Sequence, residues 1–256
     1  MLVKEFKADK LLVKVYESRP TMGQAASDEI AAKIKEFLSQ KEEVNVVFAS
    51  APSQNEFLAA LAAREDIDWG RVNAFHLDEY IGLPADAPQG FGNFLRERIF
   101  NKRKFKAVHF MDIETKDPDA ECNRYASLLE KHSPDVVILG IGENGHLAFN
   151  DPGFAFINDP VKVKVVELDA KCRQQQVNDG CFASLDLVPK TALTLTIPAL
   201  MEGKYLYAIA PGPTKVEAIN STIHDDVDEM RPSTLLRTHE QVVLFIDRDS
   251  AANVKY

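Results

Sequence analysis

The chain alternates between short apolar runs and longer amphipathic stretches. The apolar runs are rich in Val, Ile and Phe and have the length of buried strands. The stretches between them carry apolar residues at helical spacing, with charged residues on the outer face. Such an alternation is typical of parallel strands joined by crossover helices. The sequence therefore predicts an α/β fold, with an open, doubly wound, mostly parallel sheet and helices on both faces (Rossmann-like).

The same pattern predicts where the elements lie. We expect strands at residues 11–16, 44–50, 72–77, 108–111, 136–141, 161–166, 193–197, 205–210 and 242–247. We expect helices at residues 21–40, 55–63, 91–99, 120–131 and 214–223. Because no repeat, low-complexity linker or charge block interrupts the pattern, residues 1–256 are expected to form a single domain.

Composition and charge narrow the classes of function. Hydrophobic residues make up 45% and charged residues 27% of the chain, which is ordinary for a globular protein. The net charge of -9 gives no electrostatic footprint for nucleic-acid phosphates. The amino terminus lacks the apolar core of a signal peptide, and no stretch approaches membrane-spanning length. We therefore expect a cytoplasmic protein that binds neither nucleic acid nor membranes.

The cysteines and histidines do not form a recognisable metal or disulfide pattern. Cys122, Cys172 and Cys181 are too few and too irregularly spaced for a disulfide framework or a Cys-x-x-Cys zinc site. The histidines include no His-x-His or His-x-x-x-His pair. We expect reduced thiols, no metal centre and no cofactor.

The most informative segment is residues 139–153, LGIGENGHLAFNDPG, in which an apolar strand ends in glycine and polar residues. The glycines permit tight turns, and Asn144, His146, Asn150 and Asp151 place donors and acceptors in one short loop. The glycines also match Gly-x-Gly-x-x-Gly spacing. The dinucleotide fingerprint, however, requires an acidic residue about twenty positions later, where this chain has another predicted strand. Nucleotide binding is therefore disfavoured.

Within this loop, His146 and Asp151 form a candidate acid/base pair. Asp151 follows five residues later, close enough in sequence to orient one imidazole nitrogen while the other faces a substrate. The alternatives are that His146 is a buried structural histidine and that Asp151 only caps the turn at residues 150–153.

A second candidate lies at residues 75–83, FHLDEYIGL, where a strand ends in two carboxylates and a tyrosine. Adjacent carboxylates are costly to bury. Because side chains alternate along an extended backbone, Asp78 and Glu79 should point to different sides, so that one enters a site and the other has a structural role. We expect Asp78 to be the base. The alternative is a hydrogen-bonded turn before Gly82 and Pro84.

These two segments resemble the glucosamine-6-phosphate deaminase family. Its members carry a strand ending in Asp-Glu-Tyr and a loop reading Gly-x-Gly-x-(Asp/Asn)-Gly-His-x-x-Phe-Asn-Glu-Pro. The resemblance continues through VPKTALTLTI at residues 188–197 and Gly-x-x-Lys at residues 212–215. It covers most of the chain from residue 44 onward. The resemblance implies the doubly wound fold and an aldose-ketose isomerase that converts glucosamine 6-phosphate and water to fructose 6-phosphate and ammonia, without a metal or nucleotide cofactor.

The resemblance also implies roles for individual residues. By motif position, Asp78 resembles the carboxylate that moves the C2 proton, and His146 resembles the ring-opening acid/base. Asn144 stands where members carry Asp or Asn, to help His146 or hold a sugar hydroxyl. Asp151 stands where the family has Glu and would orient His146. Its shorter side chain implies contact by backbone movement, contact through water, or no contact.

The candidate phosphate site departs from the family pattern. The family has a Gly-Gly-Thr-Pro loop after the strand, whereas residues 49–54 read ASAPSQ. Proline removes a backbone N–H, while Ser50 and Ser53 keep hydroxyl donors. Ser53 is alternatively the cap of the helix from residue 55. Arg173 and Lys215 resemble the family's phosphate-binding cations.

Other functions stay open. A 6-phosphogluconolactonase typically has Asp-Glu-Arg and Ser-Leu-Phe-Pro where this chain has Asp-Glu-Tyr and Ala-Phe-Asn-Asp-Pro. A non-catalytic sugar-phosphate-sensing domain fits the altered phosphate loop, but not the presence of both Asp78 and His146. Another hexosamine, such as galactosamine 6-phosphate, would change the substrate and keep the mechanism. A homo-oligomer is compatible with the resemblance.

Overall fold

The computed structural model describes residues 1–168, 170–178 and 180–255. Its strands are β1 (Leu2–Ala8), β2 (Leu11–Tyr16), β3 (Val44–Phe48), β4 (Val72–His76), β5 (Asp78–Tyr80), β6 (Ala107–Val108), β7 (Val136–Leu139), β8 (Val163–Glu167), β9 (Thr191–Leu195), β10 (Tyr205–Ile209) and β11 (Val242–Asp247). Its α-helices are α1 (Arg19–Gln40), α2 (Asn55–Ala62), α3 (Phe91–Leu95), α4 (Pro118–Lys131), α5 (Ala170–Asn178), α6 (Ile197–Met201) and α7 (Val216–His224). A π-helical turn, Arg96–Phe100, continues α3.

The main sheet has eight strands in the order β1-β2-β11-β10-β7-β3-β4-β6. Every neighbouring pair is parallel except β1 and β2, which form an antiparallel edge. This topology confirms the predicted doubly wound, mostly parallel α/β fold. The prediction of a single domain for residues 1–256 stays a prediction.

Alternate residues of the central strands pack into two different cores. In β7, for example, Val136 and Ile138 face the core covered by α1, α2 and the α3 region, whereas Val137 and Leu139 face the core covered by α4, α6 and α7. Because both faces of these strands are covered, every residue of β3, β4 and β7 is buried. Among the described residues, no helix has the length and apolar character needed to cross a bilayer.

A second sheet packs beside the first and corrects part of the predicted arrangement. The strands predicted at residues 161–166 and 193–197 form β8 and β9, which pair with β5 in a three-stranded antiparallel sheet of order β5-β9-β8. The physical reason is visible in β8, where Val165 and Glu167 lie on one face and are exposed, while Val166 lies on the opposite face and is buried. A strand with one solvated face suits an antiparallel sheet rather than the interior of a parallel one.

Leu77 joins the two sheets. It lies between β4 and β5, donates its N–H to the carbonyl of Phe48 in the main sheet (3.3 Å), and accepts from the N–H of Leu195 in the small sheet (2.8 Å). The chain therefore passes from one sheet to the other within a single residue. The carboxyl ends of the parallel strands and the small sheet together border a cavity.

Candidate active site

The cavity lies at the carboxyl ends of β3, β4, β7 and β10, where ligands of open α/β sheets gather. Its volume is about 780 Å³, including the part open to solvent. Its lining comprises Arg19, Ala49, Ser50, Ala51, Pro52, Ser53, Leu77, Asp78, Phe91, Gly140, Ile141, Gly142, His146, Ala148, Phe149, Gln175, Gln176, Pro211, Thr214 and Lys215. Of the residues predicted from the sequence, the structure brings Ser50, Ser53, Asp78, His146 and Lys215 to this cavity. Asn144 and Asp151 lie behind His146.

His146 is held in one tautomer by its neighbours. Its Nδ1 lies 2.7 Å from Asn144 Oδ1 and 3.1 Å from Asp151 Oδ1. The amide of Asn144 donates to Asp151 (2.8 Å), so Asn144 Oδ1 is an acceptor, and it also accepts from the backbone N–H of His146. Since both neighbours of Nδ1 are acceptors, Nδ1 carries the proton, and Nε2 is the ring nitrogen available to a ligand.

A tight turn brings Asp151 back to His146. Ala148 has a φ of 51°, and the N–H of Asn150 donates to the carbonyl of Leu147. The side-chain amide of Asn150 donates to the same carbonyl and to that of Leu195, which fixes the turn to the small sheet. This backbone turn therefore brings the shorter Asp side chain into direct contact with His146.

The carboxyl of Asp151 is anionic in this environment. Burial raises its pKa, but hydrogen bonds from His146 and Asn144 outweigh burial and hold the pKa below its usual value. A carboxylate held against one ring nitrogen of a histidine in this way is an arrangement that can serve acid/base chemistry.

Gly142 makes room for the imidazole. A Cβ at this position would lie 2.2 Å from Cε1, 2.3 Å from Nε2 and 2.4 Å from Nδ1 of His146. No side chain can occupy that space without moving the ring. Glycine is required at this position because the backbone approaches His146 closely, and not because the loop binds a nucleotide.

Asp78 and Glu79 occupy different environments. Asp78 lines the cavity at 7% exposure, and burial, followed by repulsion from Glu79, raises its pKa well above the usual value. Glu79 accepts the backbone N–H groups of Tyr80, Phe91 and Gly92 at 2.8–2.9 Å and so anchors the start of α3. Burial raises the pKa of Glu79 to about 7. Asp78 thus faces the cavity, while Glu79 binds backbone N–H groups.

A buried histidine fixes the backbone at Asp78. Nδ1 of His76 lies 2.8 Å from the carbonyl of Asp78, and Nε2 accepts the N–H of Met111 at 2.9 Å. Burial lowers the pKa of His76 to about 4, so the ring is neutral and Nδ1 is its donor. His76 is fully buried, outside the cavity lining, and acts on Asp78 through the main chain.

Two serines border another part of the cavity. Ser50 Oγ is buried and has no hydrogen-bond partner among the described residues. Ser53 is not the cap of α2, the alternative considered from the sequence, because the N-cap residue of that helix is Gln54. The Ser53 hydroxyl instead accepts the side-chain amide of Gln54 (3.1 Å). That amide also donates to the carbonyl of Ile209 (3.0 Å), so Gln54 ties the loop to the end of β10. Ser53 is thereby placed toward the cavity.

Lys215 is buried in the turn Pro213–Lys215 and lines the cavity. The preceding Gly212 has a φ of 94°, a conformation that favours glycine. Its N–H donates to Asp247 Oδ1 at 3.0 Å, and Ser250 donates to the same oxygen from its backbone N–H and its hydroxyl. Asp247, at the end of β11, therefore fixes the loop that carries Lys215.

The arginine that lines the cavity is Arg19 rather than Arg173, which the sequence had predicted. Arg173 does not line the cavity, and its guanidinium donates instead to the carbonyls of Leu185 (2.6 Å) and Val188 (3.0 Å). Arg19, which the sequence reasoning missed, does line it. Arg19 forms a bidentate pair with Glu56 and donates to the carbonyl of Pro52 in the serine loop. The signal that could have revealed it is Ser-Arg-Pro at residues 18–20, one residue after the strand at residues 11–16.

Known proteins share both the sequence and the fold. Residues 17–245 match the family described as glucosamine-6-phosphate isomerases/6-phosphogluconolactonase. The glucosamine-6-phosphate deaminase of Listeria innocua is 35% identical over 210 residues, which are 82% of this chain and 88% of that protein. The glucosamine-6-phosphate deaminase of Streptococcus equi subsp. zooepidemicus is 36% identical over 189 residues, covering 74% and 79% of the two chains.

Solved structures agree. The chain resembles a monomeric glucosamine-6-phosphate deaminase with a TM-score of 0.85 and 28% identity, covering 94% of this chain and 98% of that one. It resembles the 6-phosphogluconolactonase of Thermotoga maritima with a TM-score of 0.77 and 21% identity, covering 93% and 99%. The second likeness is one of fold alone.

Proposed function

Because the chain belongs to the family of glucosamine-6-phosphate isomerases and 6-phosphogluconolactonases, we propose that it converts glucosamine 6-phosphate and water to fructose 6-phosphate and ammonia. The relatives support an enzyme of the glucosamine-6-phosphate deaminase type. The observation that carries the proposal is that a buried carboxylate, Asp78, and an oriented imidazole, His146, line one cavity with Lys215 and two serine hydroxyls.

His146 opens the sugar ring in this proposal. Its Nε2 accepts the proton of the anomeric hydroxyl and returns it to the ring oxygen as the C1–O5 bond breaks and C1 becomes an aldehyde. Asp151 and Asn144 support this exchange because they hold Nδ1–H and stabilise the imidazolium that forms.

Asp78 then moves the C2 proton. Its carboxylate takes that proton while the substrate's ammonium group gives a proton to O1, which leaves an enolamine. The proton returns to C1, water adds to C2, and ammonia leaves to give the ketose. The raised pKa of Asp78 makes its carboxylate a stronger base than an exposed one, and the ammonium group of a bound amino sugar offsets the cost of its buried charge.

The phosphate is bound by the cationic side of the cavity. Lys215 and Arg19 supply charge, while Ser50 and Ser53 supply hydroxyls. Ser50 supports this role because its buried hydroxyl lacks a partner within the described part of the chain and a phosphate oxygen would satisfy it. Arg19 would take the place that the resemblance assigns to Arg173.

The test is a coupled ammonia assay on the purified chain. We expect Asp78→Asn and His146→Gln each to lower kcat by at least about a hundredfold, in keeping with the loss of a general acid or base. Asp86→Asn, the same change at an exposed carboxylate, is the matched control and should keep wild-type kcat.

The substrate panel separates the alternatives. It contains glucosamine 6-phosphate, galactosamine 6-phosphate, unphosphorylated glucosamine and 6-phosphogluconolactone. Turnover of the lactone without ammonia release from any hexosamine phosphate would overturn the proposal in favour of a hydrolase. Tight binding of a hexosamine phosphate without turnover would favour a sensing domain.

A further inference from the structure

Three side chains of types that bind metals lie together at the inner side of the cavity: His146 and, behind it, Asp151 and Cys172. Ligand atoms of His146, Asp151 and Cys172 all lie within 4.8 Å of one another. His146 Nδ1 and Asp151 Oδ1 are 3.1 Å apart, and Cys172 hydrogen-bonds to Asp151. Cys172 lies on α5 at 1% exposure, and Asp151 is 2% exposed. The group combines a thiol, an imidazole and a carboxylate in one buried cluster.

We propose that this cluster is an inhibitory binding site for a thiophilic divalent cation of the Zn²⁺ type. Zinc binds sulfur at about 2.3 Å and nitrogen or oxygen at about 2.0–2.2 Å, which places tetrahedral ligand atoms about 3.2–3.8 Å apart. The cluster therefore needs only a small contraction to reach that geometry. A carboxylate and a thiolate also cancel the charge of a divalent cation, so the complex is neutral in a buried environment.

A separate cavity leads to the cluster. It has a volume of about 710 Å³ including its open part, and its lining includes Cys172, Asn144 and Glu143. Neither Cys172 nor Asn144 lines the substrate cavity. An ion can therefore approach the thiol from the α5 side. Water or Asn144 Oδ1, which is 2.7 Å from His146 Nδ1, completes the coordination.

Metal binding would block the reaction through the tautomer of His146. The cation takes the place of the Nδ1 proton, which moves to Nε2 through solvent, while the thiol proton of Cys172 is released. Nε2 then carries a proton and cannot accept the anomeric one. This consequence rests on the proposed function, whereas the binding site itself does not.

The experiment uses the metal-free full chain and has two independent readouts. The first is the ratio of ammonia-release rates with and without Zn²⁺ in each variant, which cancels differences in basal activity. The second is the thiolate-to-metal charge-transfer absorption on adding Co²⁺, which reports binding without turnover. Wild-type chain should show both effects, chelation should reverse them, and Mg²⁺ should cause neither because it prefers oxygen ligands.

Variants at two cysteines decide the site. Cys172→Ser keeps a hydroxyl for Asp151 but should lose the Co²⁺ band and weaken Zn²⁺ inhibition by at least about tenfold, and Cys172→Ala should behave alike. Cys181→Ser, at a half-buried thiol of the next loop, is the matched control and should behave as wild type. A band that survives in Cys172→Ser, or inhibition equal in all variants, would overturn the site. A wild-type band without deaminase activity would keep the site and sink the proposed function instead.

Discussion

Replacing Gly142 with Ala tests whether the position of His146 decides the rate. The added Cβ would lie 2.2–2.4 Å from three ring atoms, whereas comfortable contact is about 3.5–4.0 Å, so the imidazole must retreat by more than about 1 Å. This retreat breaks the contacts of Nδ1 with Asn144 and Asp151. A displacement of about 1 Å at a catalytic group costs about a hundredfold in rate, and losing one charge-assisted hydrogen bond costs about 1.5–3 kcal/mol, which agrees.

The assay is steady-state ammonia release from glucosamine 6-phosphate, combined with thermal unfolding. We expect kcat to fall about a hundredfold while KM changes little, because the phosphate-binding side is untouched. Gly140→Ala is the matched control in the same loop, since its Cβ would meet only Gln54 and Ser53 at 3.6 and 3.8 Å. A folded Gly142→Ala enzyme with kcat within about threefold of wild type would refute the reasoning, as would an equal loss of kcat in Gly140→Ala.

Three further predictions concern charge and stability. Because burial and then Glu79 raise the pKa of Asp78, we expect kcat/KM to fall as the pH drops through that pKa. Glu79→Gln should shift this acid limb of the pH profile to lower pH, and an unmoved limb would contradict the assignment of Asp78 as the base. Arg19→Leu should raise KM about tenfold to a hundredfold for the phosphorylated sugar but not for glucosamine, and equal effects on both would exclude phosphate contact. Asp247→Ala should lower the free energy of unfolding by about 1–3 kcal/mol in urea titrations, because it leaves the N–H of Gly212 unpaired; an unchanged midpoint would rule this out.

The parallel sheet could be predicted because its strands are buried on both faces and read as continuous apolar runs. Strand β1 could not be predicted, because five of its seven residues are exposed and charged residues interrupt the apolar ones. Helix α5 was missed because Gln174, Gln175 and Gln176 hide any apolar period, although two of these glutamines are buried. The predicted strand at residues 108–111 shortens to β6. Burial on two faces leaves a pattern in the sequence, but burial by polar contacts does not.

The two candidate catalytic motifs could be read from the sequence because the residues of each motif are close together in the chain. The short distance from Asp151 to His146 could not be predicted, since it depends on the positive φ of Ala148, which no residue preference indicates. The cations were less predictable still. Arg19 reaches the cavity from the first turn of α1, whereas Arg173 is turned toward the carbonyls of Leu185 and Val188. Only tertiary packing decides which of two distant arginines lines the cavity.

The crossing at Leu77 also bears on how the protein loses activity on heating. Asp78 belongs to a three-stranded sheet, while the loops that carry Lys215 and the serines extend from the eight-stranded one. Small sheets with one solvated face open at lower free energy than a sheet buried on both sides. Release of β5 from β9 would withdraw Asp78 from the cavity while the main sheet stayed paired. We therefore expect inactivation at a lower temperature than the loss of main-sheet structure. The stability of the smaller sheet then sets the temperature range in which the protein is active.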